Sequence, residues 1–164
     1  MDRLQTFGSN VTEWSLCSGS ASQTVSLGRI FGKLLPAGST VSLEGGLGSG
    51  KTCFIKGVCS GLGVSGEVLS PSFILVEEYG GDLPVMHFDL YRLEKMEDVY
   101  QTGMFDAADG RNILLVEWGD RLPPGVFDFD ITVIIEIMNK NERNLTFKAP
   151  DNFIISFSEG ADAE

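Results

Sequence analysis

The chain has 164 residues, 43% of them hydrophobic and 21% charged, enough for one soluble globular domain with a proper core. Its formal net charge of −11 repels phosphodiester backbones, so unaided binding to nucleic acid is not expected and any link to it would run through a basic partner. No apolar run approaches a membrane span, Met1-Asp2-Arg3-Leu4-Gln5-Thr6 lacks the basic start and apolar middle of a signal peptide, and Cys17, Cys53 and Cys59 match no metal spacing and suit a reducing cytoplasm.

Residues 1–18 give little beyond a short edge strand at Val11-Thr12-Glu13-Trp14-Ser15-Leu16. Ser20-Ala21-Ser22-Gln23 has the form of a capping box, with Ser20 as N-cap and Gln23 reaching back. The helix after it would carry Val25, Leu27, Ile30, Phe31, Leu34 and Leu35 on one face and end at Pro36-Ala37-Gly38. Thr40-Val41-Ser42-Leu43 alternates as a strand does. Gly45 to Thr52 then matches G-x-x-x-x-G-K-[ST], and Cys53 to Cys59 continues as a helix closing at Gly61-Leu62-Gly63.

Beyond it, Phe73 to Tyr79 reads as a strand, Gly80-Gly81-Asp82 as a turn, and Val85 to Leu90 as another strand. Met96 to Thr102 is a short helix stopping at Gly103. Ile113-Leu114-Leu115-Val116-Glu117 is apolar enough to be a strand covered on both faces. Ile131 to Met138 and Asn144 to Phe147 form a hairpin around Asn139-Lys140-Asn141, and the chain frays from Ser158. The predicted fold is therefore α/β: one P-loop nucleotide-binding domain over residues 1–157, flanked by helices, with a disordered tail at 158–164. Its mixed sheet has a parallel centre and antiparallel additions.

Strand, glycine loop and helix in that order are the context a phosphate-cradling loop needs. Glycines 45, 48 and 50 let successive backbone N–H groups turn inward as an anion nest, and the new helix aims its positive end at the phosphates. Leu47, Gly48, Ser49, Gly50, Lys51, Thr52 and Cys53 are the predicted nucleotide contacts. Lys51 brings charge to the β- and γ-phosphates, and the Thr52 hydroxyl is a Mg²⁺ ligand.

Hydrolysis or transfer also needs acids. Asp89 follows mostly apolar residues, as a metal-ligating Walker B aspartate does at the carboxyl edge of a strand; its alternative is a turn aspartate. Glu117 ends the most buried strand, where it would hold Mg²⁺ or orient the attacking water, or else be a solvated strand-end acid. Ser72, after Pro71, offers a hydroxyl to sense the γ-phosphate or its metal. Trp118 would stack on a base or simply pack, and His87 reads as an inward strand residue with a satisfied hydrogen bond.

Taken together, Leu43 to Thr52, Ser70-Pro71-Ser72-Phe73, His87-Phe88-Asp89-Leu90-Tyr91-Arg92-Leu93 and Glu117-Trp118 closely resemble the TsaE (YjeE) family over about Ser20 to Phe147. The second and third blocks are more diagnostic than the loop itself. The resemblance implies ATP and Mg²⁺ as ligands, with Lys51 and Thr52 as the loop lysine and threonine. Asp89 becomes the Walker B aspartate, and Glu117 a magnesium ligand or catalytic acid beside Trp118. It also implies weak ATP hydrolysis in isolation and work with a TsaD-type transferase and a TsaB-type paralogue, in making threonylcarbamoyladenosine in tRNA, so the acidic chain need not touch tRNA directly. Gly46 stands where the family usually has Asp, and Ser72 where it usually has Thr.

Two other readings use the same loop. A small-molecule kinase would need lid arginines, and no arginine cluster resembles a lid. A GTP-dependent switch would need a guanine-reading N-K-x-D; Asn139-Lys140-Asn141-Glu142 has Glu for Asp and falls in the predicted hairpin turn.

Overall fold

Seven strands hydrogen-bond into one mixed sheet: β1 (Val11–Ser18), β2 (Thr40–Glu44), β3 (Val76–Tyr79), β4 (Val85–Asp89), β5 (Ile113–Glu117), β6 (Ile131–Ile137) and β7 (Arg143–Pro150), in the order β1-β7-β6-β2-β5-β4-β3. The computed structural model describes residues 10–163; Met1–Thr6, judged above for a leader, lies outside the described residues. Strands β6, β2, β5 and β4 run parallel at the centre, while β3, β7 and β1 are antiparallel additions. The helices are α1 (Ala21–Leu34), α2 (Lys51–Gly61), α3 (Met96–Gln101), α4 (Met104–Ala107) and α5 (Asp151–Asp162).

The sheet divides the core in two, and β5 shows why its sequence is apolar throughout. Ile113 and Leu115 pack into the cluster under α1, α2 and α5, whereas Leu114 and Val116 face the cluster of Phe88, Leu90, Val99 and Met104. Successive strand residues point to opposite faces, so a strand covered on both sides needs no polar alternation. The first cluster is knit by aromatics: Phe31 has ring neighbours Phe153 at 5.0 Å, Phe54 at 5.2 Å and Phe157 at 5.6 Å.

Helix α1 opens as its cap predicts. Gln23 N–H donates to Ser20 Oγ at 3.1 Å, but the Gln23 side chain reaches Gly19 N–H at 2.7 Å rather than the N-cap residue's own amide. Its buried face is Thr24, Leu27, Gly28, Phe31 and Gly32, so Val25, Ile30 and Leu34 lie at the margin of the expected stripe. The reason is α2. A Cβ on Gly57 would overlap the Val25 carbonyl and stand 2.9 Å from Gly28 Cα, so the two backbones touch where larger residues would hold them apart.

Three expectations need correction. Only Val76–Tyr79 of the predicted 73–79 strand pairs with β4; before it, Ile74 N–H donates to the Pro71 carbonyl at 3.1 Å and Leu75 turns at φ +71°, which leaves Phe73 83% exposed. Strand β7 runs on to Pro150, three residues beyond the predicted Phe147. The tail expected to fray from Ser158 is the second half of α5, which buries Phe153, Ile154 and Phe157; their i, i+1, i+4 spacing is a helical face too short to stand out alone. Helix α4 had no counterpart among the predicted elements.

Gly57→Ala should be destabilised by about 1–3 kcal/mol through overpacking, with Tm falling by about 2–4 °C per kcal/mol. Gly46→Ala, whose added Cβ meets nothing within 4 Å, should melt as wild type. Thermal denaturation followed by circular dichroism reads both.

Candidate functional site

The loop from β2 into α2 leaves the carboxyl end of the central parallel strands, where open α/β sheets bind ligands. Gly45, Gly48 and Gly50 sit at φ +137°, +72° and +108°, conformations that a side chain would strain. Gly46 has no positive φ, and a Cβ there meets open space, so its glycine is not demanded by the backbone. Arg143, at the start of β7, grips the loop from outside: its Nε donates to the Ser49 carbonyl at 2.9 Å and its Nη2 to the Gly48 carbonyl at 3.4 Å. Within the loop the Ser49 N–H donates to the Gly46 carbonyl at 3.1 Å.

Lys51 is 5% exposed, and its ammonium donates to the Gly45 carbonyl at 2.8 Å and the Gly46 carbonyl at 2.9 Å, with the Trp118 ring 4.1 Å away. Burial pulls its pKa below the ordinary lysine value, and Glu117, Asp89 and Asp120 act against that shift. Trp118 itself sits at φ +62°, with Tyr91 at 5.0 Å on its ring. It packs beneath the lysine.

Register brings the acids together. Asp89 and Glu117 are directly paired positions of β4 and β5, and Leu43 of β2 pairs with Glu117, so both carboxylates stand beside the start of α2. Their partners differ. Glu117 Oε1 accepts from Thr52 Oγ1 at 2.9 Å and faces His87 Nε2 at 3.1 Å. Asp89 Oδ2 accepts from Ser70 Oγ at 3.0 Å and Ser72 Oγ at 3.2 Å, and its Oδ1 accepts from Tyr91 N–H at 2.9 Å. Glu117 is thus joined to the loop threonine, while Asp89 fastens the 70–72 turn.

Leu47 through Cys53, Ser72, Asp89, Glu117 and Trp118, the predicted nucleotide and metal contacts, all line one cavity of about 420 Å³. That volume lies within the usual range for a small-molecule site. Ser70, Tyr91 and Arg92 join them, with the Arg92 guanidinium 4.5 Å over the Phe73 ring. His87 is where the sequence placed it, inward and buried, but only its Nε2 is satisfied; Nδ1 has no partner.

A second cavity of about 400 Å³ shares Gly48, Ser49, Gly50 and Cys53 with the first and is completed by Ser20 and Thr24 of the α1 start and by Lys140, Asn141 and Arg143 of the β6–β7 hairpin. Trp118 lines the first cavity and not this one. Arg143 has no reading from the sequence, because it lies 94 residues from the loop carbonyl it holds; Ser70 and Lys140 figure there only within the Ser70–Phe73 block and the Asn139–Glu142 turn, with no side-chain role.

Comparison with known proteins finds relatives over most of the chain. Residues 18–145 match the family model described as threonylcarbamoyl adenosine biosynthesis protein TsaE. The chain is similar to the tRNA threonylcarbamoyladenosine biosynthesis protein TsaE of Treponema pallidum, 37% identical over 79% of this chain and 96% of the relative. The Bacillus subtilis protein of the same name is 34% identical over 79% of this chain and 82% of its own. In three dimensions the chain resembles the crystal structure of Bacillus subtilis YdiB, with a TM-score of 0.67, 26% identity, and 95% and 98% of the two chains covered.

The thiols differ in surroundings. Cys17 is exposed, Cys53 half-buried in the wall of both cavities, and Cys59 buried with its thiol pushed up to about 12. Iodoacetamide at mildly alkaline pH should modify Cys17 first, Cys53 more slowly and Cys59 only after unfolding, read by peptide mass spectrometry.

Proposed function

The chain belongs to the TsaE family of threonylcarbamoyl adenosine biosynthesis proteins, whose role is in making threonylcarbamoyladenosine in tRNA, and on that footing we propose that it is an ATP-binding, Mg²⁺-dependent P-loop ATPase. The observation that carries the proposal is the Thr52 hydroxyl hydrogen-bonded to Glu117 Oε1 at 2.9 Å, beside a buried ammonium. A hydroxyl and a carboxylate that meet at the mouth of an amide-lined loop supply hard oxygen donors next to an anion site. Among the described residues no group of three His, Cys, Asp or Glu side chains is placed to hold a metal ion; Mg²⁺ here would rely on phosphates and water for its other ligands, as it commonly does.

In this reading the amides of Gly48, Gly50, Lys51 and Thr52 cradle the phosphates, while the Ser49 N–H closes the loop on the Gly46 carbonyl. Lys51 exchanges the Gly45 and Gly46 carbonyls for β- and γ-phosphate oxygens. Thr52 and Glu117 would hold Mg²⁺, which would neutralise charge on the phosphates and sharpen the γ-phosphorus as an electrophile. Glu117 also orients the attacking water. Asp89 keeps Ser70 and Ser72 at the cavity wall, where their hydroxyls face the γ-phosphate end. The nucleoside end passes Cys53 into the second cavity, between the α1 start and the hairpin.

Asn139 argues against guanine reading: its Oδ1 accepts from Asn141 N–H at 3.0 Å and Glu142 N–H at 2.9 Å, so the side chain is spent on the turn. We extend the proposal to a cytoplasmic protein that docks on a TsaD-type transferase and a TsaB-type paralogue. The net charge of −11 favours protein contact over direct contact with tRNA. No helix among the described residues is long and apolar enough to cross a membrane.

Calorimetry with ATP and Mg²⁺ tests the core of this. Lys51→Ala should weaken binding by about 10- to 100-fold, the worth of a charge-assisted contact. Glu117→Ala should still bind ATP but lose about 10²–10⁴-fold in turnover, measured as phosphate release; undiminished turnover would remove Glu117 from the chemistry. Pull-down with the two partner types should recover this chain with ATP present.

A further inference from the structure

His87 is the single histidine of the chain and is 0% exposed. It lies mid-strand in β4, register-paired with Leu115 of β5 and Glu77 of β3, two residues before Asp89 and on the same face of the sheet. Its Nε2 stands 3.1 Å from Glu117 Oε1, and its Nδ1 is enclosed with no hydrogen-bond partner. A carboxylate oxygen accepts, so the ring hydrogen belongs on Nε2. A hydrogen on Nδ1 instead would be an enclosed donor with nothing to receive it, and would leave two acceptors facing each other across 3.1 Å.

Both donors to Glu117, Thr52 Oγ1 and His87 Nε2, converge on the same oxygen, Oε1. His87 Nδ1 is the one enclosed side-chain nitrogen or oxygen without a partner among the described residues, so Oε2, which carries no hydrogen bond, is reached from the cavity that Glu117 lines. When the Thr52 hydroxyl turns toward a metal ion, it leaves Oε1. The imidazole is then the group that fixes the carboxylate, from a strand held on both sides.

We propose that His87 is the positioning residue of this site: its Nε2–H holds Oε1 of Glu117 so that Oε2 is presented to the metal or its water. The inference rests on the functional reading above, in which Glu117 serves the nucleotide's metal. Hydrogen-bonded partners of ligating carboxylates set ligand orientation in this way, and their removal typically costs 10–100-fold in metal affinity.

The lone histidine makes the test direct. Long-range ¹H–¹⁵N NMR of the intact protein should show one imidazole with a protonated Nε2 and a bare Nδ1, and the Nε2–H signal should move in Glu117→Gln. An Nδ1–H tautomer, or rapid averaging between tautomers, overturns the proposal. In calorimetry, ATP affinity in EDTA should be unchanged in His87→Leu and in His87→Gln. The gain in affinity on adding Mg²⁺ should fall about 10- to 100-fold in His87→Leu and return in His87→Gln, whose amide N–H reaches the same oxygen. A full Mg²⁺ gain in folded His87→Leu overturns this inference alone, whereas no Mg²⁺ gain in wild type fails the functional reading and this one with it. Should His87→Leu not fold, the tautomer and the folded His87→Gln decide: loss of the gain in His87→Gln counts against.

Discussion

Lys51 places a positive charge where 5% of its surface reaches water, and its neighbourhood is organised to make that tolerable. Two main-chain carbonyls accept from the ammonium, an indole face lies 4.1 Å beneath it, and two strand-end carboxylates stand nearby. An ammonium so enclosed keeps its charge only while partners surround it. The loop carbonyls are partners of convenience. In the proposed function phosphate oxygens would offer stronger, charge-assisted bonds in the same place.

Rigid elements hold that arrangement. The acids are set by the parallel register of β4 and β5, the hydroxyl by the first turn of α2, and α2 in turn by backbone contact with α1 through Gly28 and Gly57. Arg143 fixes the far side of the loop from a hairpin 94 residues away in sequence. Helix α5, packed by Phe153 and Phe157 onto Phe31, closes the core under α1. Each part of the site is therefore tied to a core element, while the 70–74 turn, with Phe73 open to solvent, is tied chiefly through Asp89.

Division of labour between the two acids follows from their partners. Glu117 shares a hydrogen bond with the loop threonine and so belongs to the proposed metal end, whereas Asp89 spends both oxygens on Ser70, Ser72 and the Tyr91 amide. From spacing alone Asp89 had the stronger claim to a Walker B role, because apolar residues before an aspartate are visible in one strand. Which carboxylate meets the threonine is visible only between strands.

What the sequence determined is local chemistry. Gly45 to Thr52, the alternation in Thr40 to Leu43, the continuous apolar run of β5 and the Ser20 cap each follow from φ/ψ freedom, period or capping within a few residues, and each element formed as read. Tertiary structure decided the rest, because it depends on groups distant in the chain: the exact strand order, the pairing of Asp89 with Glu117, Arg143 on the loop, and a second cavity shared with the hairpin. Where local preference and packing disagreed, packing won. Phe73 and Ile74 have strand propensity yet sit in a turn that hands its hydroxyls to Asp89, and the weakly patterned end of the chain became a helix because an aromatic core was there to receive it.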